Sequence, residues 1–308
     1  MTAQIRQESL RYYANAGPVT DIEKYREFVD WLTADVRAIF QVVQGILVHD
    51  GWLKAYGIEF NDAQRYDFNS LTMETVLDKA VELGGKSLSI PRAPDKRVIG
   101  CCREFATLMT ALLRAKGTPA RSRCGFAAYF DDSPTWVDHW VCEYWSTEQS
   151  RWILVDPQMD PFQQSVLSLS FSPLDIPRSQ FLTGAEAWLA CLEERFDPEH
   201  FGISGNSAEY NLETLFGLWF VRGNLLRDFA SLNKVETVPL LMRLWRGLSW
   251  DSWRLARMSD EKLTANDQSL LDQMARFATS PDVHFNELRA LYQSNKELQP
   301  GDKILRYE

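Results

Sequence analysis

The sequence predicts an α+β protein carrying additional helices at both ends. Three observations lead there: an apolar helix opened by Cys101-Cys102, successive aromatic strand-like runs between residues 120 and 156, and helical periodicity before and after them. A chain of 308 residues with 45% apolar and 24% charged residues is long and apolar enough to bury a large core, as one domain or two.

Apolar residues recur at helical spacing at Ile22, Tyr25, Phe28, Val29 and Leu32, so 21–32 is expected to be a helix. Thr33 or Asp35 can cap a second one, running to about Val48 with Ile39, Val42, Val43, Ile46 and Leu47 on one face. His49 is then read as a C-terminal residue facing the helix dipole in preference to a member of the site, and Gln44 likewise as structural first. Residues 52–70 show no clear period, whereas Thr72–Leu83 reads as a helix stopped by Gly84-Gly85.

Pro91 and Pro94 enforce an extended approach to the Cys-Cys helix, which runs to about Lys116. Its apolar stripe (Cys102, Phe105, Ala106, Met109, Leu112, Leu113) turns Cys102 inward and leaves Cys101 off the stripe. Gly117 ends the helix and strands are expected at 120–130, 136–145 and 151–156, the last two joined by a short loop. If Trp145 pairs with Ser150, His139 faces Asp156 across the antiparallel ladder. Residues 165–182 read as a connection, and helices follow at about 184–194, 209–230, 235–246, 266–279 and 284–295. The expected division is a first domain at 1–175 and a helical domain or cap at 176–308.

A net charge of −9 argues against nucleic-acid binding, which needs a basic face. The apolar runs, Leu215–Val221 among them, are too short to span a bilayer, and the first residues have no apolar signal core. Five cysteines without a disulfide framework point to a reducing cytoplasm, and scattered histidines without a Cys-x-x-Cys pair give no zinc site.

A thiol at a helix start is acidified by the positive end of the helix and by a neighbouring imidazole, and a carboxylate can orient that imidazole. Cys102, His139 and Asp156 are the candidate nucleophile, base and orienting acid. The segments GCCREFATLMTALLRAKGTPARSRCG from Gly100, DHWVCEYW from Asp138 and WILVDPQ from Trp152 resemble the transglutaminase-like superfamily of papain-type thiol enzymes. The resemblance covers roughly 98–160. It implies a papain/transglutaminase-like core, a nucleophile helix packed on an antiparallel sheet, with Cys102, His139 and Asp156 in the three catalytic positions. It implies acyl transfer from an amide or peptide-type bond through a thioester, with water as acceptor (hydrolysis) preferred over an amine. A binding module retaining the three residues is the alternative. No cofactor is implied, and oligomeric state is not legible.

Between Pro91 and Arg123 eight basic residues face two acidic ones, so a cleft lined by Arg103 and Arg123 would favour an anionic substrate unless these side chains pair with acids elsewhere. Tyr129 and Trp140 are expected to wall the pocket or to pack in the core. Gln44, Trp140 and Arg103 are the candidates for a second oxyanion donor beside the Cys102 N–H.

Overall fold

The computed structural model describes residues 3–59, 72–85, 87–130, 135–203, 215–237 and 253–299. In chain order the first elements are helices α1 (Ala3–Tyr13), α2 (Arg26–Trp31) and α3 (Val36–Ile46), strand β1 (Leu47–His49), helix α4 (Met73–Gly84) and strand β2 (Val98–Gly100). Helix α5 (Cys102–Ala115) leads into strands β3 (Ala120–Ala127), β4 (Trp136–Ser146) and β5 (Arg151–Val155). Then come α6 (Pro161–Val166), β6 (Phe181–Thr183), α7 (Gly184–Leu192), β7 (Phe201–Gly202) and α8 (Leu218–Leu232). The described chain ends with α9 (Arg254–Arg257), α10 (Ala265–Thr279) and α11 (Phe285–Ser294).

Local chemistry fixes most boundaries. Asp35 accepts from the Ala38 N–H at 2.8 Å and so starts α3, while Thr72 caps α4 through the Thr75 N–H at 3.3 Å. The helix expected at 21–32 forms only as a tight turn over Glu23–Tyr25 followed by α2. The second expected helix stops at Ile46, because Leu47–His49 leaves it to pair in parallel with Val98–Gly100. The expected helix at 235–246 lies largely outside the described residues, as does the start of that at 209–230.

The main sheet has the order β5-β4-β3-β6, with β7 paired in parallel to the start of β4. Alternate residues of β3 face opposite ways. The Ser122 hydroxyl meets Thr110 of α5, and Arg123 meets Asp228 of α8. The sheet is therefore held between α5 and α8. Past Gly125 the sheet curls: Phe126 joins the core on the α8 side and Asp138 accepts from Asn224, which turns the intervening His139 toward α5.

Neither covering helix has the wet face of an amphipathic helix. Every residue of α5 from Cys102 to Arg114 is buried, and so is every residue of α8 from Phe220 to Leu232. Several of their polar side chains are satisfied internally, which offsets the cost of burying them. Thr110 donates to the Ala106 carbonyl at 2.9 Å, Arg114 Nε to the Ala120 carbonyl at 2.8 Å, and Ser231 to the Ser122 carbonyl at 2.7 Å. The core around α8 draws on Tyr13 of α1, Phe126, Trp136 and Trp152 of the sheet, and Leu271 and Leu288 of the last helices. One core thus takes residues from both sides of position 175.

Candidate active site

Cys101 is the N-cap of α5. Its N–H donates to Glu104 Oε2 at 3.0 Å and its sulfur lies 3.1 Å from the same oxygen, while Glu104 Oε1 accepts from Arg103 Nη1 at 2.8 Å. The first turn of the helix is thereby fixed, and Cys102, its first residue, keeps an N–H with no acceptor inside the helix. The Cys102 side chain is buried among Cys101, Ala106, Cys124 and Trp140.

His139 Nε2 lies 2.8 Å from Asp156 Oδ2, which leaves Nδ1 as the nitrogen facing Cys102, to which the ring is hydrogen-bonded. The ladder that brings the pair together differs from the one expected. Ser146, not Trp145, is the last paired residue of β4, its partner is Arg151, and the pairing ends at Cys142–Val155. Ser150 supplies the shift by entering the left-handed region at φ 50° as the last residue of the turn. Asp156 lies one residue past the ladder and diagonal to His139, and a diagonal pair on one face is still within reach of an imidazole and a carboxylate.

Asp156 is heavily solvated by protein. Oδ2 also accepts from the Tyr129 hydroxyl at 2.7 Å, and Oδ1 accepts from the Gln158 N–H at 3.0 Å. Phe130 packs edge-on against the imidazole with ring centres 4.7 Å apart. Tyr129 therefore holds the carboxylate, and the aromatic wall of the imidazole is Phe130.

The electrostatics separate the two thiols. A hydrogen bond from Cys101 holds the Cys102 thiol well below its ordinary range against the effect of burial, and bonds to His139 and His49 act in the same direction. That bond and burial push the Cys101 thiol well above its ordinary range. Burial alone would lower the His139 pKa, but the Asp156 carboxylate and Cys102 raise it to about 10. The two opposite shifts favour a thiolate beside an imidazolium.

Arg103 and Arg123 do not line this site. Arg103 is buried, with Nη2 on the Glu236 carbonyl at 2.6 Å and Nη1 on Glu104. Arg123 is buried on Asp228 through Nε and Nη2, both at 2.8 Å, and Arg121 donates to Glu143 at 2.7 Å. Arg114 is paired with Glu236. Acids distant in sequence neutralise these arginines, which tie the sheet to its covering segments. Trp140 lies against Cys102 with its indole N–H unpartnered, and the Gln44 amide nitrogen is also unpartnered.

His49 takes the place the sequence reading ranked second, beside the site and not at a helix end. It is the last residue of β1, opposite Gly100, and its ring stacks on Phe105 with centres 6.4 Å apart. Nδ1 accepts from the Gly51 N–H at 3.1 Å and lies 3.0 Å from Asp50 Oδ1. The ring is hydrogen-bonded to Cys102. The apolar Leu47-Val48 followed by Asp50-Gly51 is a strand-then-turn pattern that could have revealed it. A narrow surface crevice is lined by Gln44, His49, Tyr56, Arg97, Phe105 and Gln158. His49 thus touches both cleft and thiolate. Among the described residues no group of three or more His, Cys, Asp and Glu is arranged to hold a metal ion, and no helix is long and apolar enough to cross a membrane.

A comparison with solved structures finds a candidate cysteine protease from Cytophaga hutchinsonii, 16% identical with a TM-score of 0.34, covering 59% of this chain and 46% of that one. The matched region thus spans less than half of that relative's length. A comparison with curated proteins gives no match. The family model of the transglutaminase-like superfamily matches residues 81–157, the stretch that runs from the end of α4 to just beyond Asp156.

Proposed function

We propose that the protein is a thiol-dependent hydrolase of amide or peptide-type bonds. The observation that carries the reading is the chain of contacts from Asp156 through His139 to Cys102 at the start of α5. The Cys102 thiolate attacks the amide carbonyl carbon, a C–S bond forms, and the oxygen becomes an oxyanion beside the Cys102 N–H. His139 gives its Nδ1 proton to the leaving nitrogen, the C–N bond breaks, and the amine departs. Water then attacks the thioester carbon while His139 takes a water proton, and rupture of the C–S bond releases the acid and restores the thiolate. Asp156 holds the ring so that Nδ1 meets the sulfur and stabilises the imidazolium.

Water is preferred as acceptor because hydrolysis needs no second substrate site. A reducing compartment suits a centre that depends on a free thiol, and on this ground the protein is placed in the cytoplasm. Alkylation by iodoacetamide at about pH 6, below the free-thiol pKa, tests the centre. Cys102 should react well ahead of Cys124, whose thiol burial pushes well upward, and His139→Ala should remove that lead. Equal rates at the two cysteines would leave a binding module as the reading. Mass spectrometry of a peptide mixture offered with an amine distinguishes cleavage or deamidation from amine incorporation, and incorporation as the main product would make the protein a transamidase.

A further inference from the structure

Two histidines, each next to a carboxylate, flank the Cys102 sulfur, and the reaction above uses only one. They approach from different elements: His139 from β4 of the main sheet, His49 from β1, whose parallel partner β2 leads directly into Cys101 and Cys102. They also differ in what holds the second nitrogen. His139 Nε2 meets a carboxylate that is bonded by Tyr129 and Gln158, an arrangement that lets the ring gain and lose a proton at Nδ1. His49 Nδ1 faces the backbone N–H of Gly51. The Gly51 N–H also donates to Asp50 Oδ1 at 2.8 Å, and Asp50 Oδ1 lies 3.0 Å from His49 Nδ1. A ring held charged between the Asp50 carboxylate and the thiolate carries a proton on Nε2, as does a neutral ring whose Nδ1 accepts from Gly51. In these two states Nε2 is a donor.

We propose that His49 is a catalytic residue of this centre, its Nε2–H serving as the second hydrogen-bond donor to the thiolate in the free enzyme and to the oxyanion in the tetrahedral adduct. The oxyanion forms one bond away from the carbon that the sulfur attacks, so a donor already on the sulfur has a short path to it. His49 stands on the chain that carries the Cys102 N–H, the first donor. Stacking on Phe105 fixes the plane of its ring, and its exposure on the cleft puts it where a substrate carbonyl would arrive. The proposal rests on the acyl-transfer reading and adds a residue to it.

The test compares two reactions of Cys102 in the full chain. Alkylation by iodoacetamide needs a thiolate but forms no oxyanion. Acylation by p-nitrophenyl acetate needs both: the C–S bond forms, the oxyanion collapses, and the C–O bond breaks to release nitrophenolate, counted as a burst. In His49→Ala the alkylation rate at its high-pH plateau should stay near that of the unaltered protein, while the burst rate falls by about 10²–10³-fold, the usual effect of removing one oxyanion donor. His49→Gln, whose amide N–H can take the place of Nε2–H, should restore most of the burst rate. Equal loss in both reactions, no loss in either, or failure of Gln to restore acylation while alkylation is normal would each overturn the assignment. A burst absent from the unaltered protein would instead overturn the acyl-transfer reading, and the role of His49 with it.

Discussion

Gly125 stands directly opposite His139 in the β3–β4 ladder, and a Cβ there would lie 2.1 Å from the Leu182 carbonyl oxygen of β6. β6 can approach β3 only where that side chain is missing, and the curl that turns His139 toward Cys102 occurs at the same place. Gly125→Ala is expected to force β6 away, costing about 1–3 kcal/mol as overpacking does. Urea unfolding reads the stability and Cys102 alkylation at about pH 6, below the free-thiol pKa, reads the centre; both should decline together. An unaltered protein on both measures would show that β6 gives way freely.

Tyr129 should matter through Asp156. Tyr129→Phe removes a hydroxyl bond to a buried carboxylate, and bonds to charged groups contribute about 1.5–3 kcal/mol. A stability loss in that range is expected together with slower turnover. A variant as stable as the unaltered protein would mean that Asp156 is satisfied without the hydroxyl.

Asp156→Asn is expected to leave the fold intact, because the amide retains the shape and an oxygen acceptor. Turnover should fall steeply, by up to about 10⁴-fold as seen when a carboxylate that orients a catalytic histidine becomes an amide. Circular dichroism checks the fold, and nitrophenolate release from p-nitrophenyl acetate checks the activity. Near-normal release would remove Asp156 from the mechanism.

The pH dependence follows from opposite shifts at two groups. The Cys102 thiol is held down and His139 is held up at about 10, so the thiolate–imidazolium pair exists between the two values. Acylation should rise as pH climbs through the lowered Cys102 pKa and fall as His139 loses its proton near pH 10. Folding follows the same sign for His139: its raised pKa contributes stability fully present below the unfolded value, near 6.5, and lost as pH passes about 10. A His139→Ala variant should shift the acidic limb of Cys102 alkylation to higher pH; an unmoved limb would assign the low thiol pKa to Cys101, His49 and the helix.

Asp228 ties α8 to β3 by accepting from Arg123 and from the Cys124 N–H at 3.2 Å. Asp228→Ala would strand the buried guanidinium of Arg123 with only Glu143 and a carbonyl as partners. Removing one member of a buried pair costs about 3–5 kcal/mol, and a fall in the urea midpoint with an unchanged slope would register it.

Much of the centre was legible because its signals are local. Cys102 could be placed by helix phase and by Glu104-Phe105-Ala106 after it, and Asp35, Thr72 and the glycines after α4 and α5 announced their boundaries. His139 and Asp156 were paired by strand order, but the register was off by two residues, since nothing in the residues 147–150 shows that Ser150 adopts a positive φ. His49 was ranked second as a site residue because its helix-like neighbours continue to Ile46, and only the pairing of β1 with β2 takes it out of the helix. The basic stretch misled because charge along the sequence does not reveal which acids meet it, and Asp228, Glu236 and Asp282 come from more than a hundred residues later. β6 and β7 were invisible at three and two residues, too short for a period to register.

Helix α8 also sets an order of events. It is enclosed along nearly its whole length, and it bonds the backbone of β3 at Gly125 and Cys124 across about a hundred residues of intervening chain. During synthesis the sheet waits for residue 232 to leave the ribosome before its second face is covered. Until then the buried arginines of β3 have no Asp228 and the nucleophile helix rests on a half-built support. The reactive thiol should therefore form late, after most of the chain has been made, and shortened chains ending before α8 should be bound by chaperones rather than active.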